Sequence, residues 1–364
     1  MELRHYITFA VSFIVLQLFV YILNRTLYWL FSDKLSHKAR RVIRLLTYGI
    51  ANFVIILSIT RVFSFRVGAF LLVCLLFVSF TSIACALIYR LLCHHVVQTS
   101  LNRTLRLIYP FALAGLVTFA LYNAYVPTVR HYQVTLDKPL SPIRIGVASD
   151  LHLGKLFGAK QLDRLAQIMQ QENVDLILLP GDIMDDNVEA YLNENMRPHL
   201  AKLQAPLGVY ATMGNHDFFG AQQAIAEEIQ RAGIHLLMDQ SVTINHQFVI
   251  VGRNDNLYTQ RPSTEALLQN VDTSLPIFLL DHRPDQILQH AKLPIDLQVS
   301  GHAHNGQIFP ANIVTKMMYP LSYGYEKIGN GHFFVTSGYG FWGVPMRLGS
   351  QSEVFIIDVV GNNQ

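Results

Sequence analysis

Four long runs without a single charged side chain occupy most of the first 130 residues. They are Tyr6–Leu23 (18 residues), Leu45–Thr60 (16), Val67–Tyr89 (23) and Leu107–Val129 (23). A helix that crosses a bilayer needs about 20 apolar residues, with a range of about 17–25. The third and fourth runs meet this directly. The first does so if it continues past Asn24 into Tyr28–Phe31. The second is short, but Arg44 and Arg61 at its ends can reach outward to the two interfaces. Four such runs in succession argue against a water-soluble helical bundle. Tyr6–Leu23 also lacks a small-x-small cleavage site and is followed by three more runs, so it does not read as a removed secretory signal.

The rest of the composition follows from this. Charged residues make up only 15% of the chain, against about 25% in ordinary soluble domains, and the mean hydropathy is +0.29. From Met1 to Arg130 there are 13 Lys/Arg and 2 acids; from His131 onward there are 15 Lys/Arg and 23 acids. The basic residues flank apolar runs and do not gather on a folded face, which excludes a nucleic-acid-binding surface. The acidic second part suits bound cations, since two divalent ions offset about four charges. Cys74, Cys85 and Cys93 all fall in the apolar part. Neither a disulfide framework nor a thiolate metal site is therefore available to the second part.

Loop charge sets the expected topology. The loop after the first run carries Arg25, Lys34, Lys38, Arg40, Arg41 and Arg44, and the loop after the third carries Arg90, Arg103 and Arg106. The N-terminus has Arg4, and the loop after the second run has Arg61 and Arg66. The first and third loops are then cytoplasmic. Both termini lie outside, and the second domain is periplasmic or extracellular. Tyr125–Arg130 reads as the linker, dividing a transmembrane domain (1–130) from a second domain (131–364).

In the second domain, short apolar runs of strand type end repeatedly in polar residues. Ile143–Ser149 ends in Asp150-Leu-His152, Leu176–Leu179 in Pro-Gly-Asp182, and Leu207–Thr212 in Gly-Asn215-His216-Asp217. Pro276–Leu280 ends in Asp281-His282, and Ile295–Val299 in Gly301-His302-Ala-His304. Phe248–Gly252, Phe333–Thr336 and Glu353–Val359 are further strands. Gln161–Gln171 and Gln222–Ala232 read as helices, with Leu162, Leu165, Ile168 and Met169 sharing one face of the first. Ligands of α/β sheets bind at the C-terminal ends of strands, and five segments deliver Asp, His or Asn there. Oxygen and imidazole donors without thiolate suit Mn, Fe, Zn, Co or Ni. Two such ions about 3.5–4 Å apart can hold a bridging hydroxide and clamp the oxygens of an in-line displacement at phosphorus.

The set DLH, GD, GNHD, a lone His at a strand end, and GHAH resembles the five-block signature of the calcineurin-like metallophosphoesterase superfamily, over roughly Arg144–Val359. The resemblance implies an α/β fold, a four-layer α-β-β-α sandwich, here preceded by a four-helix transmembrane domain. It implies a first metal held by Asp150, His152, Asp182 and His304. It implies a second held by Asp182, Asn215, His282 and His302, with Asp182 bridging the two divalent ions. Asp281 is the competing donor to His282. His216 is expected to polarise the phosphate and protonate the leaving oxygen, oriented by Asp217, as the departing alkoxide requires. Ala303 and Asn305 depart from the commonest GHTHGGQ form at positions that are not ligands. His199, His235, His246, His290 and His332 lack such a context.

The segment Ser337–Arg347 resembles the C-terminal block of a bacterial membrane-associated branch that includes UDP-2,3-diacylglucosamine pyrophosphatases. Within it, Arg347 can pair a substrate phosphate bidentately, while Phe341 and Trp342 can serve as core. The apolar stretch Ile313–Tyr325 can either cap the core or touch lipid. The expectation is a metal-dependent hydrolase of a phosphoester or pyrophosphate in a phospholipid or lipid-linked phosphate, multi-pass in a bacterial inner (cell) membrane. Soluble phosphoesters are the alternative substrate. A sensor or scaffold with an inactive domain is a further alternative, against which the complete ligand set speaks.

Overall fold

The computed structural model describes residues 3–31 and 35–362. Glu2, Asp33 and Lys34, which entered the charge pattern above, lie outside the described residues, as does the side chain of Arg4. The chain divides into two compact units, Met1–Ala120 and Leu121–Gln364.

The first unit contains helices α1 (Leu3–Leu30), α2 (His37–Ile59), α3 (Phe65–Leu92) and most of α4 (Gln98–Tyr125). Ser36 and Ser64 begin α2 and α3 with side-chain oxygens that accept from the Ala39 and Arg66 N–H groups, satisfying donors that the helix itself leaves open. Among the described residues these are four helices long and apolar enough to cross a membrane. Their polar side chains pair inward: Gln17 with Asn52, Asn24 with Thr47, and Thr26 with Ser82. In hydrocarbon no water competes for such groups, so they must be satisfied internally.

The second unit runs β1 (Thr128–Leu136), β2 (Ile143–Val147), α5 (Ala159–Gln171), β3 (Leu176–Pro180), α6 (Glu189–Asn193), α7 (Arg197–Leu200) and β4 (Val209–Thr212). It continues with α8 (Gln222–Arg231), β5 (His235–Leu236), β6 (Gln240–Ile244), β7 (Phe248–Arg253), α9 (Thr264–Leu268), β8 (Ile277–Asp281) and α10 (Ile287–His290). It ends with β9 (Leu297–Ser300), α11 (Ala311–Met318), β10 (Gly324–Ile328), β11 (Gly331–Val335) and β12 (Glu353–Gly361). Among the described residues the strands form two six-stranded sheets, ordered β1-β12-β2-β3-β4-β5 and β10-β11-β9-β8-β7-β6. The strands β2 to β5 of one sheet and β7, β8, β9 and β11 of the other run parallel.

Strand side chains alternate between faces, and both faces of each sheet are apolar here. Leu176, Leu178, Phe355 and Ile357 of the first sheet pack with Phe248, Phe278, Leu297 and Phe334 of the second. Ile177 and Leu179 turn the other way, toward Leu162, Leu165, Ile168 and Met169 of α5 and Ile225 and Ile229 of α8. Val249, Val251 and Leu279 meet Leu268 of α9, and Phe333 and Val335 meet Ile287 of α10. The result is four layers, helix, sheet, sheet, helix. Each fully buried aliphatic or Phe side chain contributes about 1.5–3 kcal/mol. The expected linker Tyr125–Arg130 is corrected to two residues. α4 continues through Tyr125, and β1 starts at Thr128, where it pairs with Glu353 of β12. A strand made by a partner so far along the chain leaves no local signal.

Candidate metal centre

The parallel strands deliver their C-terminal ends to one place, and the backbone there is under tension. Asp150, His152, Asp182, His302 and His304 all have left-handed φ, between 45° and 66°. Such a conformation costs about 1–3 kcal/mol at a residue with a side chain and persists only where surrounding structure imposes it. Gly181, at φ 90°, is required: a Cβ there would lie 2.7 Å from the Gly214 backbone nitrogen and from His282 Nδ1.

The donors meet in two groups, linked by a third of His152, Asp182 and His216. Asp150, His152 and His304 form one, and Asp182, His282 and His302 the other, with the ligand-type atoms of each within 4.8 Å of one another. His304 Nε2 lies 3.1 Å from His152 Nε2 and 3.3 Å from Asp150 Oδ1. His282 Nε2 lies 3.1 Å from Asp182 Oδ2 and 3.2 Å from Asn215 Oδ1. Asp182 Oδ2 is also 3.7 Å from His152 Nε2, so this carboxylate faces both groups. His282 Nδ1 donates to the Pro180 carbonyl at 2.8 Å, the outer hydrogen bond that typically aims a metal-binding imidazole.

The electrostatics fit bound cations. Burial drives His152 and His302 down to about 3 and His304 well below its ordinary value, which leaves each ring neutral with one bare nitrogen. Burial pushes Asp150 up to about 6, with the charge of Asp182 adding to the effect. For Asp182 the burial penalty is outweighed by His282, and its value falls. His282 in turn rises to about 10, burial being overcome by Asp182. The proton on His282 supplies positive charge that two buried carboxylates demand, and divalent ions would supply more of it at the same place. Neutral imidazoles, two carboxylates and an amide oxygen are the donor set of such ions.

Residues 143–306 match the family model described as calcineurin-like phosphoesterase. A metallophosphoesterase of Aquifex aeolicus is 30% identical over 66% of this chain and 94% of its own length. The chain belongs to the metallophosphoesterase family. It is a metal-dependent phosphoester hydrolase. A metallophosphoesterase of Helicobacter pylori is 28% identical over 73% of each chain. A Danio rerio relative described as a transmembrane protein with a metallophosphoesterase domain is 30% identical over 66% of this chain and 59% of its own.

Two expectations about this metallophosphoesterase are corrected. Asp217 does not orient His216. It is fully buried, and its carboxylate accepts from the N–H groups of Gly214 (2.9 Å), Met184 (3.1 Å) and Ile183 (3.3 Å), tying the ends of β3 and β4 together. The partner of His216 Nδ1 is Asp186 Oδ1, while the His216 backbone N–H donates to Asp182 Oδ1 at 2.8 Å. Burial lowers the His216 value, but the bond to Asp186 and the charges of Asp182 and Asp186 together more than reverse this and raise it. Arg347 does not reach substrate. It is fully buried and donates to the carbonyls of Ser337 (2.6 Å) and Gly340 (2.7 Å), with Nη2 3.1 Å from His304 Nδ1. It braces the loop behind His304.

Asp186 and the pair Arg283–Asp255 join the site without having been expected from the sequence. The Arg283 guanidinium, held by Asp255 at 2.6 and 3.1 Å, lies 3.4 Å from His302 Nε2. The signals were present: a run of acids after Gly181 (Asp182, Asp185, Asp186) and a cation directly after His282. His290 and His332 are held by Thr264 and Gln298, and by Tyr325, apart from the metal cluster. Phe341 is core, but Trp342 is 46% exposed and its ring lies 6.2 Å from that of His216.

Proposed function

We propose that this metallophosphoesterase, anchored by α1–α4, hydrolyses a phosphoester or pyrophosphate bond in a lipid or lipid-linked molecule. The observation that carries the lipid reading is the rim of the metal cluster. Phe219, 55% exposed, meets the His216 ring edge-on at 5.0 Å, and the exposed Trp342 lies on the same ring. Tyr319 approaches His302 at 6.2 Å. Two exposed aromatic rings and the half-buried Tyr319 around a charged centre suit an amphiphile, whose phosphate enters while its apolar part stays on the rim.

Asp150, His152, Asp182 and His304 would hold one ion, and Asp182, Asn215, His282 and His302 the other. Ions held by these residues would supply Lewis-acid chemistry, activating water at neutral pH and offsetting charge that develops on phosphoryl oxygens. The residues do the rest. Asp186 binds His216 Nδ1, which leaves Nε2 to face the substrate and hand a proton to the leaving oxygen. Asp217 keeps the β3 and β4 loops in register, so that Asp182 and Asn215 remain side by side. Arg283 brings a fixed positive charge to the second group. The donor chemistry suits Mn, Fe, Zn, Co or Ni alike.

The basic loops after α1 and α3 favour a cytoplasmic side for those loops and an outer side for the catalytic unit, in a bacterial cell membrane. Protease protection in sealed vesicles tests this: cleavage of the catalytic unit only from the cytoplasmic face would reverse it. The substrate reading is tested with the detergent-purified full chain and Mn. Lipid-linked phosphates are expected to exceed soluble nucleotides and aryl phosphodiesters in kcat/KM by about tenfold or more; parity would leave a phosphoesterase of soluble substrates.

A further inference from the structure

α11 is built inside out. Its apolar residues Ile313, Val314, Met317 and Met318 are all exposed, Met317 at 84%, while Asn312 and Thr315 are the partly buried ones. None of its residues is buried. At 100° per residue, positions 313, 314, 317 and 318 share one stripe, and Lys316 lies on its flank. A surface helix in water turns its apolar stripe inward; this one turns it outward. Phe309, just before the helix, is also exposed.

The helix is joined directly to the metal cluster. A short helical turn, His304–Gly306, precedes it, and Gly306 presses against the Asn312 backbone so closely that no Cβ fits. Tyr319, at its C-terminal end, carries the ring that approaches His302. Charge follows the same pattern. The catalytic part is acidic overall, yet no acid occurs between Asp296 and Glu326, a stretch that contains Lys316. The stretch is thus apolar and cationic, which complements an anionic lipid surface. A bilayer is also at hand, since only Val126 and Pro127 separate α4 from β1.

We infer that α11 is an interfacial docking helix, whose stripe of Ile313, Val314, Met317 and Met318 enters the headgroup–acyl boundary of the bilayer in which the chain is anchored. Docking holds the mouth of the metal cluster against the lipid surface, so that a lipid phosphate reaches the site without leaving the membrane. This deepens the lipid reading and rests on α1–α4 being membrane spans.

The test uses the full chain with Cys74, Cys85 and Cys93 replaced by alanine, at one chain per nanodisc of mixed zwitterionic and anionic phospholipid. An environment-sensitive fluorophore is placed at Met317→Cys, at Val314→Cys and, as a control at an exposed position of α8, at Gln223→Cys. Phosphatidylcholine carrying a nitroxide near the glycerol end of an acyl chain is expected to cut emission at the two α11 positions about twofold or more, since such helices lie within about 5–10 Å of that depth. The Gln223 label should be unaffected. Equal quenching at all three positions, or none at Met317 and Val314, would overturn the docking. So would a change in emission seen only with several chains per disc, which would assign the face to a second copy. Met317→Ser with Met318→Ser should lower turnover of bilayer-embedded phosphate relative to a soluble aryl phosphodiester by about tenfold. Quenching without hydrolysis of any lipid phosphate would sink the substrate reading and leave docking standing. Hydrolysis of lipid phosphate without quenching would do the reverse.

Discussion

The two units of this protein place their side chains in opposite ways. In α1–α4 large apolar side chains point outward, Leu91 at 71% and Phe111 at 78% exposure, while Asn24, Thr26, Ser79 and Thr81 are buried. Ser79 and Thr81 donate to carbonyls one turn back, Leu75 and Phe77. In the sheet unit Phe355, Ile356 and Ile357 are fully buried, and the polar groups that are buried with them, such as Arg347 and His290, are held by hydrogen bonds, while at the strand ends Asp150, His152, Asp182 and His282 are buried together. The contrast teaches that each unit answers a different solvent. Hydrocarbon gives apolar surface no reason to hide and forbids unpaired polar groups; water demands the reverse. Two places in the second unit depart from that rule in ways that bear on function. One is the strand-end cluster, where charged and imidazole groups are buried side by side; the other is α11, which carries its apolar stripe outward as the first unit does.

The largest expected effect tests the cluster. His216→Ala should lower kcat by about 10²–10⁴-fold, the usual worth of a positioned general acid. Asp182→Asn should abolish turnover and cut the metal retained by the folded protein, read by elemental analysis. Near-normal rates in either variant would remove the distinction drawn between strand-end polar groups and structural ones.

The next effect sharpens the contrast of solvents. Ile50 of α2 and Leu288 of α10 are both exposed apolar residues. Aspartate at Ile50 should cost about 3 kcal/mol of insertion, as at the centre of a spanning helix, and be read as lost membrane-integrated protein. Aspartate at Leu288 should change stability by no more than about 0.5 kcal/mol. Equal tolerance at both positions would mean that α2 does not face lipid.

Arg347→Ala should lower stability by about 2–3 kcal/mol, because the Ser337 and Gly340 carbonyls lose their donor in a dry interior. A raised KM with an unchanged melting temperature would instead return Arg347 to the substrate.

The smallest effect is a pH dependence. Burial holds His290 down to about 4, against the weaker opposing bond to Gln298. An unfolded histidine titrates near 6.5, so on acidification the unfolded chain takes up the proton first. The stability from neutral His290 is complete above about pH 6.5 and is lost as the pH falls toward 4. Between about pH 7.5 and 5.5 the loss should be about 1 kcal/mol. His290→Gln should flatten that part of the melting-temperature profile.

Some of this was legible in the linear chain, and the reason is local. Uncharged runs long enough to cross a bilayer announce α1–α4. Buried strands announce themselves by apolar runs that end in Asp, His or Asn, so the side chains from Asp150 to His304 that the fold gathers at the strand ends could be named with the strands that carry them. What depended on contacts between distant segments was not legible. β1 exists because β12 pairs with it. His216 takes Asp186 and not its neighbour Asp217, because Asp217 is turned inward onto the backbone of Gly214, Ile183 and Met184. Arg347 looks like a phosphate ligand until the fold encloses it among carbonyls. The direction in which α11 faces was undecided for the same reason. A residue's type fixes what it can bond, but only packing decides which side of it meets solvent and which partner reaches it first.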